Sequence, residues 1–178
     1  MSPIAPPGPA QGPSAPDATR RVDLADEAAT AAFAARLALA LAPGMVVWLS
    51  GGLGAGKTTL VRGVLRALGH TGKVRSPTFT LLEPYNLPRF PVYHFDFYRF
   101  SSTDEWRDAG FDEYFRSAGV CLVEWPELAG PELPRADLAL RLEFADSDAD
   151  GTGSARVLRL EALGEAGLRC LNAAAAAS

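Results

Sequence analysis

Nine consecutive residues, Gly51-Gly52-Leu53-Gly54-Ala55-Gly56-Lys57-Thr58-Thr59, combine backbone-permissive positions with one cation and two hydroxyls. Glycines let a chain curl so that successive N–H groups point inward, and such a nest attracts anions. A helix that starts directly afterwards adds its positive end. Gly51, Gly54 and Gly56 permit the curl, and the amides from Gly54 through Ala55, Gly56, Lys57 and Thr58 to Thr59 are expected to face the anion. Lys57 supplies a full charge for the β and γ phosphates of a nucleotide, and Thr58 a hydroxyl where Mg2+ would sit. Gly51, four residues, then Gly56-Lys57-Thr58 is the spacing of a phosphate-binding loop, so ATP and Mg2+ are the expected ligands. A glycine-rich turn that binds nothing is the alternative, and it does not account for the lysine and threonine in register.

Mg2+ takes hard oxygen ligands, so a carboxylate is needed near Thr58. In open α/β sheets the carboxyl ends of parallel strands converge on the ligand crevice. Glu124 follows the apolar run Val120-Cys121-Leu122-Val123, and Asp96 ends Val92-Tyr93-His94-Phe95-Asp96. One acid can hold Mg2+ while the other orients or activates the attacking water; the residues alone leave open which does which, or whether either is a solvated strand-end charge. Alternation puts His94, Asp96 and Tyr98 on one face and makes Tyr93, Phe95 and Phe97 the packed face. His94 could relay a proton or be a satisfied core residue. Arg99 could meet a phosphate or pair with Asp104, and Trp125 could shape a contact surface or cap the core. In Ser76-Pro77-Thr78-Phe79 the proline forces an extended approach, and the hydroxyls of Ser76 and Thr78 could sense a γ-phosphate as switch segments do.

The elements around these residues must hold them in place. Asp26 can cap a helix through Pro43, with Phe33, Leu37, Ala40 and Leu41 on one face. Met45 to Leu49 is an unbroken apolar run, typical of a strand covered on both faces. The glycine loop follows, then a helix with Leu60, Val61, Val64, Leu65 and Leu68 at helical spacing and Gly69 as its stop. Thr78 to Tyr85 and Val92 to Arg99 read as extended segments joined by a turn. Ser102 or Thr103 could cap one short helix, and Asp112 could cap another through Phe115. Leu138, Leu140, Leu142 and Phe144 alternate, as do Leu158, Leu160 and Ala162, with an Asp- and Gly-rich loop from Asp146 to Ser154 between them. The expected fold is α/β: a mixed, mostly parallel sheet flanked by helices, with an antiparallel edge hairpin.

At 178 residues the chain fits one domain with a real core. Met1 to Pro16 holds six prolines among small residues, so 1–19 is expected to be a disordered tail, 20–163 the folded domain, and 164–178 a weakly ordered end. A net charge of −4 argues against a free-standing nucleic-acid binder, which needs a basic face. Cys121 and Cys170 lack metal or redox spacing, in keeping with a reduced, cytoplasmic setting, and no apolar run is long enough to span a membrane.

Four pieces occur together in a known order: Gly52-Leu53-Gly54-Ala55-Gly56-Lys57-Thr58-Thr59, Ser76-Pro77-Thr78-Phe79, His94-Phe95-Asp96-Phe97-Tyr98-Arg99 and Glu124-Trp125-Pro126-Glu127. Over about Arg21 to Leu160 the chain resembles the bacterial P-loop ATPase of tRNA threonylcarbamoyladenosine biosynthesis, the TsaE or YjeE family. The loop alone is shared with many families; the later three motifs make the likeness specific. The resemblance implies a small cytoplasmic ATPase that acts on a threonylcarbamoyl-transferase heterodimer of the TsaD–TsaB type and meets tRNA only indirectly. It also implies that Lys57 binds phosphate, that Thr58 and Glu124 hold Mg2+, and that Asp96 supports hydrolysis. Ser76 to Phe79 would form the switch, Trp125 would lie beside the site, and Glu27 near the adenine. Two departures are Gly52, where an acidic residue is common, and the proline-rich front end.

Two other functions share the loop. A small-molecule kinase of this size needs a lid with arginines over the γ-phosphate. Arg135 and Arg141 are the only arginines between the Glu124 strand and the terminal hairpin's second strand, and Arg141 falls within an alternating strand. A nucleotide-binding adaptor without hydrolysis is the third reading, separable from the others by turnover with and without the heterodimer.

Overall fold

Asp26 caps the first helix as its place ahead of an apolar face requires, its Oδ1 accepting from the Ala29 amide at 2.7 Å. The computed structural model describes residues 18–100, 105–145 and 153–175. The first strand, β1 (Thr19–Leu24), precedes that helix, α1 (Glu27–Ala40). The helix ends at Ala40, short of Pro43, with Leu41 already extended at φ −65° and ψ 143°. β2 (Val46–Ser50), the glycine loop and α2 (Lys57–Ala67) follow in the expected order. Gly69, at φ +100°, ends α2, and the His70 amide donates back to Leu65.

β3 (Leu82–Tyr85) and β4 (Val92–Asp96) pair antiparallel and are shorter than the expected extended segments: residues 78–80 form a turn, closed by the Leu81 amide donating to the Pro77 carbonyl, and the strand ends at Asp96 and not at Arg99. Short helices α3 (Glu105–Asp108) and α4 (Asp112–Phe115) lead into β5 (Val120–Glu124), and a 3-10 turn at Pro126–Leu128 leads on to β6 (Leu138–Phe144) and β7 (Arg156–Ala162). Ser102 and Thr103, proposed caps, and most of the Asp146 to Ser154 loop lie outside the described residues, as do residues 1–17 of the expected tail.

The seven strands lie in the order β1-β7-β6-β2-β5-β4-β3. The central four are parallel and both edges are antiparallel. β2 therefore lies between two strands that come much later in the chain, and the ends of β2, β5 and β4 open on the same side. One face of the sheet packs on α1, α2 and a C-terminal helix through Phe33, Leu60, Val64, Leu122, Leu140 and their neighbours. The other face is aromatic: Phe95 stacks on Phe115 at 5.0 Å and Phe97 on Phe100 at 4.6 Å between ring centroids.

Two expectations are corrected. The end over 164–178 is not weakly ordered in its described part, because Glu165–Ala175 form a helix, α5, that packs on α1 and β7. Alanine-rich sequence favours helix, and small residues at Gly167, Cys170 and Ala174 let it approach closely. A Cβ at Gly167 would sit 1.7 Å from the Asp137 carbonyl oxygen. The chain also pairs from Thr19 onward, and β1 was not foreseen: its alternation is carried by charged residues, with only Leu24 fully buried.

Candidate functional site

Gly51 leaves β2 at φ +130°, and a Cβ there would lie 2.2 Å from the Leu142 carbonyl oxygen of β6. The loop thus starts where neighbouring backbone leaves no room for a side chain. Gly56, at φ +106°, makes the left-handed step that starts α2. Ala55 is buried beneath the curve, and its carbonyl accepts from Arg156 Nε at 3.1 Å.

Lys57, the first residue of α2, is buried, with its ammonium donating to the carbonyls of Gly51 at 2.7 Å and Gly52 at 2.9 Å. It also lies 3.8 Å from the centroid of the Trp125 ring. Burial lowers its pKa below the ordinary 10.5, while the charges of Glu124, Glu127 and Asp96 oppose that shift. The next residue, Thr58, donates its hydroxyl to Glu124 at 2.8 Å (Oε1), with Oε2 at 3.1 Å. Glu124 is paired between Leu49 of β2 and Asp96 of β4, so helix start and strand ends meet at one carboxylate. His94 contacts that carboxylate from beneath, Nε2 to Oε1 at 2.8 Å.

Asp96 faces the switch candidates. Its Oδ2 accepts from the hydroxyls of Ser76 and, at 2.8 Å, Thr78, while Oδ1 accepts from the Tyr98 amide at 2.9 Å. Both acids are nearly fully buried. Neither is the solvated strand-end charge that was the alternative for it. Trp125 adopts φ 58° and ψ 48°, a left-handed conformation uncommon for a bulky residue.

A cavity of about 260 Å³ is lined by Gly54, Gly56, Lys57, Thr58, Thr59, Ser76, Thr78, Asp96, Glu124 and Trp125, along with Leu53 and Tyr98. Residues from four separate stretches of sequence meet there. Glu27 does not line this cavity; it lines an adjoining opening, with Thr30 and Arg156, that shares Gly54, Gly56 and Thr59 with it. Arg99 lies over the exposed ring of Phe79 at 4.3 Å, and its proposed partner Asp104 is outside the described residues. Arg135 and Arg141 do not line the cavity.

Sequence reasoning missed Arg156. It sits 4.4 Å over the Phe144 ring and ties β7 to the glycine loop through Ala55 and, at 3.4 Å, Gly54. Only its position at the start of the last strand could have pointed to it.

The donors fit Mg2+. Thr58 and Glu124 offer only hard oxygens, with Asp96 close by, and no group of three or more His, Cys, Asp or Glu poised for a softer metal occurs among the described residues. Mg2+ is commonly held by one or two protein oxygens plus phosphate and water, so a sparse set is what it needs. No helix among the described residues is long and apolar enough to cross a membrane.

Residues 24–152 match the family model described as Threonylcarbamoyl adenosine biosynthesis protein TsaE. The chain is similar to the tRNA threonylcarbamoyladenosine biosynthesis protein TsaE of Haemophilus influenzae, with 45% identity over 102 residues. That match covers 57% of this chain and 65% of the relative, just under two thirds of its length. The protein of the same description from Bacillus subtilis is 47% identical over 119 residues, 67% of this chain and 70% of the relative. The crystal structure of Bacillus subtilis YdiB superposes with a TM-score of 0.73 at 33% identity, covering 88% of this chain and 93% of that one.

Proposed function

The chain belongs to the TsaE family of threonylcarbamoyl adenosine biosynthesis proteins, and from that membership we propose that it is a cytoplasmic, Mg2+-dependent ATPase acting on a TsaD–TsaB type transferase heterodimer. The observation that carries the reading is the Thr58–Glu124 hydrogen bond, which joins the start of the phosphate-loop helix to a strand end beside Lys57. That arrangement puts a cation and two hard-oxygen donors on one cavity wall, as a metal–nucleotide complex requires.

In this reading Lys57 and the loop amides neutralise the β and γ phosphates. Thr58 and Glu124 hold Mg2+, which supplies charge neutralisation at the phosphate oxygens. Asp96 orients the attacking water and keeps the Ser76–Thr78 segment against the cavity. The segment is placed to respond to a γ-phosphate because its hydroxyls already line the same space. tRNA is met through the transferase, since the net charge of −4 supplies little phosphate attraction. A small-molecule kinase gains no support from Arg135 or Arg141, neither of which lines the cavity.

The test is phosphate release by the wild type and by Lys57→Ala, each with and without the heterodimer. Mg2+-dependent release that rises with the heterodimer and is lost in the variant supports the reading. Phosphate transfer to a small acceptor in place of release overturns it.

A further inference from the structure

His94 is wholly buried, at 0% exposure, on the sheet face shared with Val92 and Leu122. In the β4–β5 ladder it pairs with Leu122, one pleat below the Asp96–Glu124 pair. From there its Nε2 reaches Glu124 Oε1 at 2.8 Å, the same oxygen that accepts from Thr58 at 2.8 Å. A carboxylate that ligates Mg2+ is ionised and only accepts, so in the role proposed for Glu124 the proton of this bond belongs to Nε2. The other ring nitrogen, Nδ1, is buried with no hydrogen-bond partner among the described residues.

That unmatched nitrogen distinguishes two explanations for a histidine here. If the position served only packing, an apolar side chain would fill it without stranding a polar atom. Among the described residues the one polar contact of the His94 side chain is to Glu124. Among the described residues the other side chain bonded to Glu124 is Thr58, which approaches from α2, and the oxygens of Asp96 are taken by Ser76, Thr78 and the Tyr98 amide.

We infer that His94 is a positioning residue for the Mg2+ site, its Nε2–H fixing the rotation of the Glu124 carboxylate so that both oxygens stay within reach of Thr58. The inference rests on the assignment of Glu124 to Mg2+ proposed above. Groups that orient a metal-binding carboxylate hold it in one geometry before the ion arrives, and their loss weakens metal binding more than nucleotide binding.

The experiment is calorimetric titration with ATP, in EDTA and across a Mg2+ series, on the wild type, His94→Leu and His94→Gln, with thermal melts to check folding. The imidazole 15N spectrum of the wild type reports which nitrogen carries the proton. In His94→Leu the Mg2+ concentration for half-maximal enhancement of binding is expected to rise about 10–100-fold, with metal-free ATP affinity unchanged. His94→Gln, whose amide nitrogen can take the place of Nε2, should restore most of the loss, and the wild-type spectrum should show the proton on Nε2. An unchanged Mg2+ midpoint in His94→Leu, or a proton found only on Nδ1, overturns the inference and leaves the ATPase reading standing. A wild type whose ATP binding ignores Mg2+ overturns both. If the leucine variant does not fold, the glutamine variant and the spectrum decide: a glutamine variant as Mg2+-sensitive as the wild type supports the role, and a proton confined to Nδ1 removes it.

Discussion

The ammonium of Lys57 lies 3.8 Å from the centroid of the Trp125 ring, directly beside the metal-site candidate Glu124 in sequence. The Lys57 ammonium and the strand end are therefore in contact through a residue held in a left-handed conformation. Whatever moves Lys57 toward a phosphate alters the surroundings of Trp125, and this relationship links the site's charge to its rim.

Lys57→Ala removes the only full positive charge among the residues lining the cavity. ATP affinity is expected to fall at least about 30-fold, the equivalent of roughly 2 kcal/mol or more, with the fold intact. The wild type carries a further signature. Because burial holds its pKa below the ordinary 10.5, the free protein loses the Lys57 proton at a lower pH than an exposed lysine would. ATP binding should weaken as pH rises through the interval below 10.5, while the unliganded fold gains stability across that interval, since the unfolded chain there binds more protons. Calorimetric titration of ATP between neutral and alkaline pH checks the first, and Lys57→Ala should show no such slope.

The two buried acids should separate by phenotype. Glu124→Ala leaves Thr58 without its acceptor, so Mg2+-dependent ATP binding should weaken about 10–100-fold and turnover should cease. Asp96→Asn keeps an acceptor for the Ser76 and Thr78 hydroxyls but not a carboxylate, so Mg-ATP still binds while hydrolysis slows about 100-fold or more. Binding titrations paired with single-turnover phosphate release distinguish them. The opposite pattern would mean the roles are exchanged.

Ser76→Ala deletes one of the two hydroxyls that anchor the segment to Asp96 and leaves Thr78 in place. ATP affinity should change little, while the difference in heterodimer affinity between the ATP and ADP states shrinks. Partner binding by the wild type and the variant, each with ATP, ADP or no nucleotide, measures this. Equal wild-type affinity in all three states rules out a nucleotide-controlled switch, and tight binding to free tRNA at physiological salt rules out the indirect route.

Gly167→Ala tests the docking of α5. A methyl there would lie 1.7 Å from the Asp137 carbonyl oxygen, so the helix must shift off the sheet edge. A loss of about 1–3 kcal/mol is expected, seen as a Tm lower by several degrees in a melt, with ATP binding retained. An unchanged Tm would show that the close approach at Gly167 does not limit the docking of α5.

What the chain declares by itself is what neighbouring residues encode. A glycine loop between an apolar run and a helical period specifies strand, cradle and helix, because φ preference and side-chain period are local properties. The same locality placed Asp96 and Glu124 at strand ends and Asp26 at a cap. It could not say which acid meets Thr58. That bond spans 66 positions and exists because β5 lies beside β2, a choice made by sheet pairing and burial across the whole core. Arg156 reaches the loop across 101 positions for the same reason, through a strand whose own pattern says nothing of its neighbours. β1 and α5 were missed because their sequences are, in turn, charged and rich in small residues. Their order comes from the surfaces they complete: β1 pairs along β7, and α5 fits α1 closely only once both are in place. Tertiary structure alone decided these features, since the free energy that fixes them belongs to contacts between distant segments.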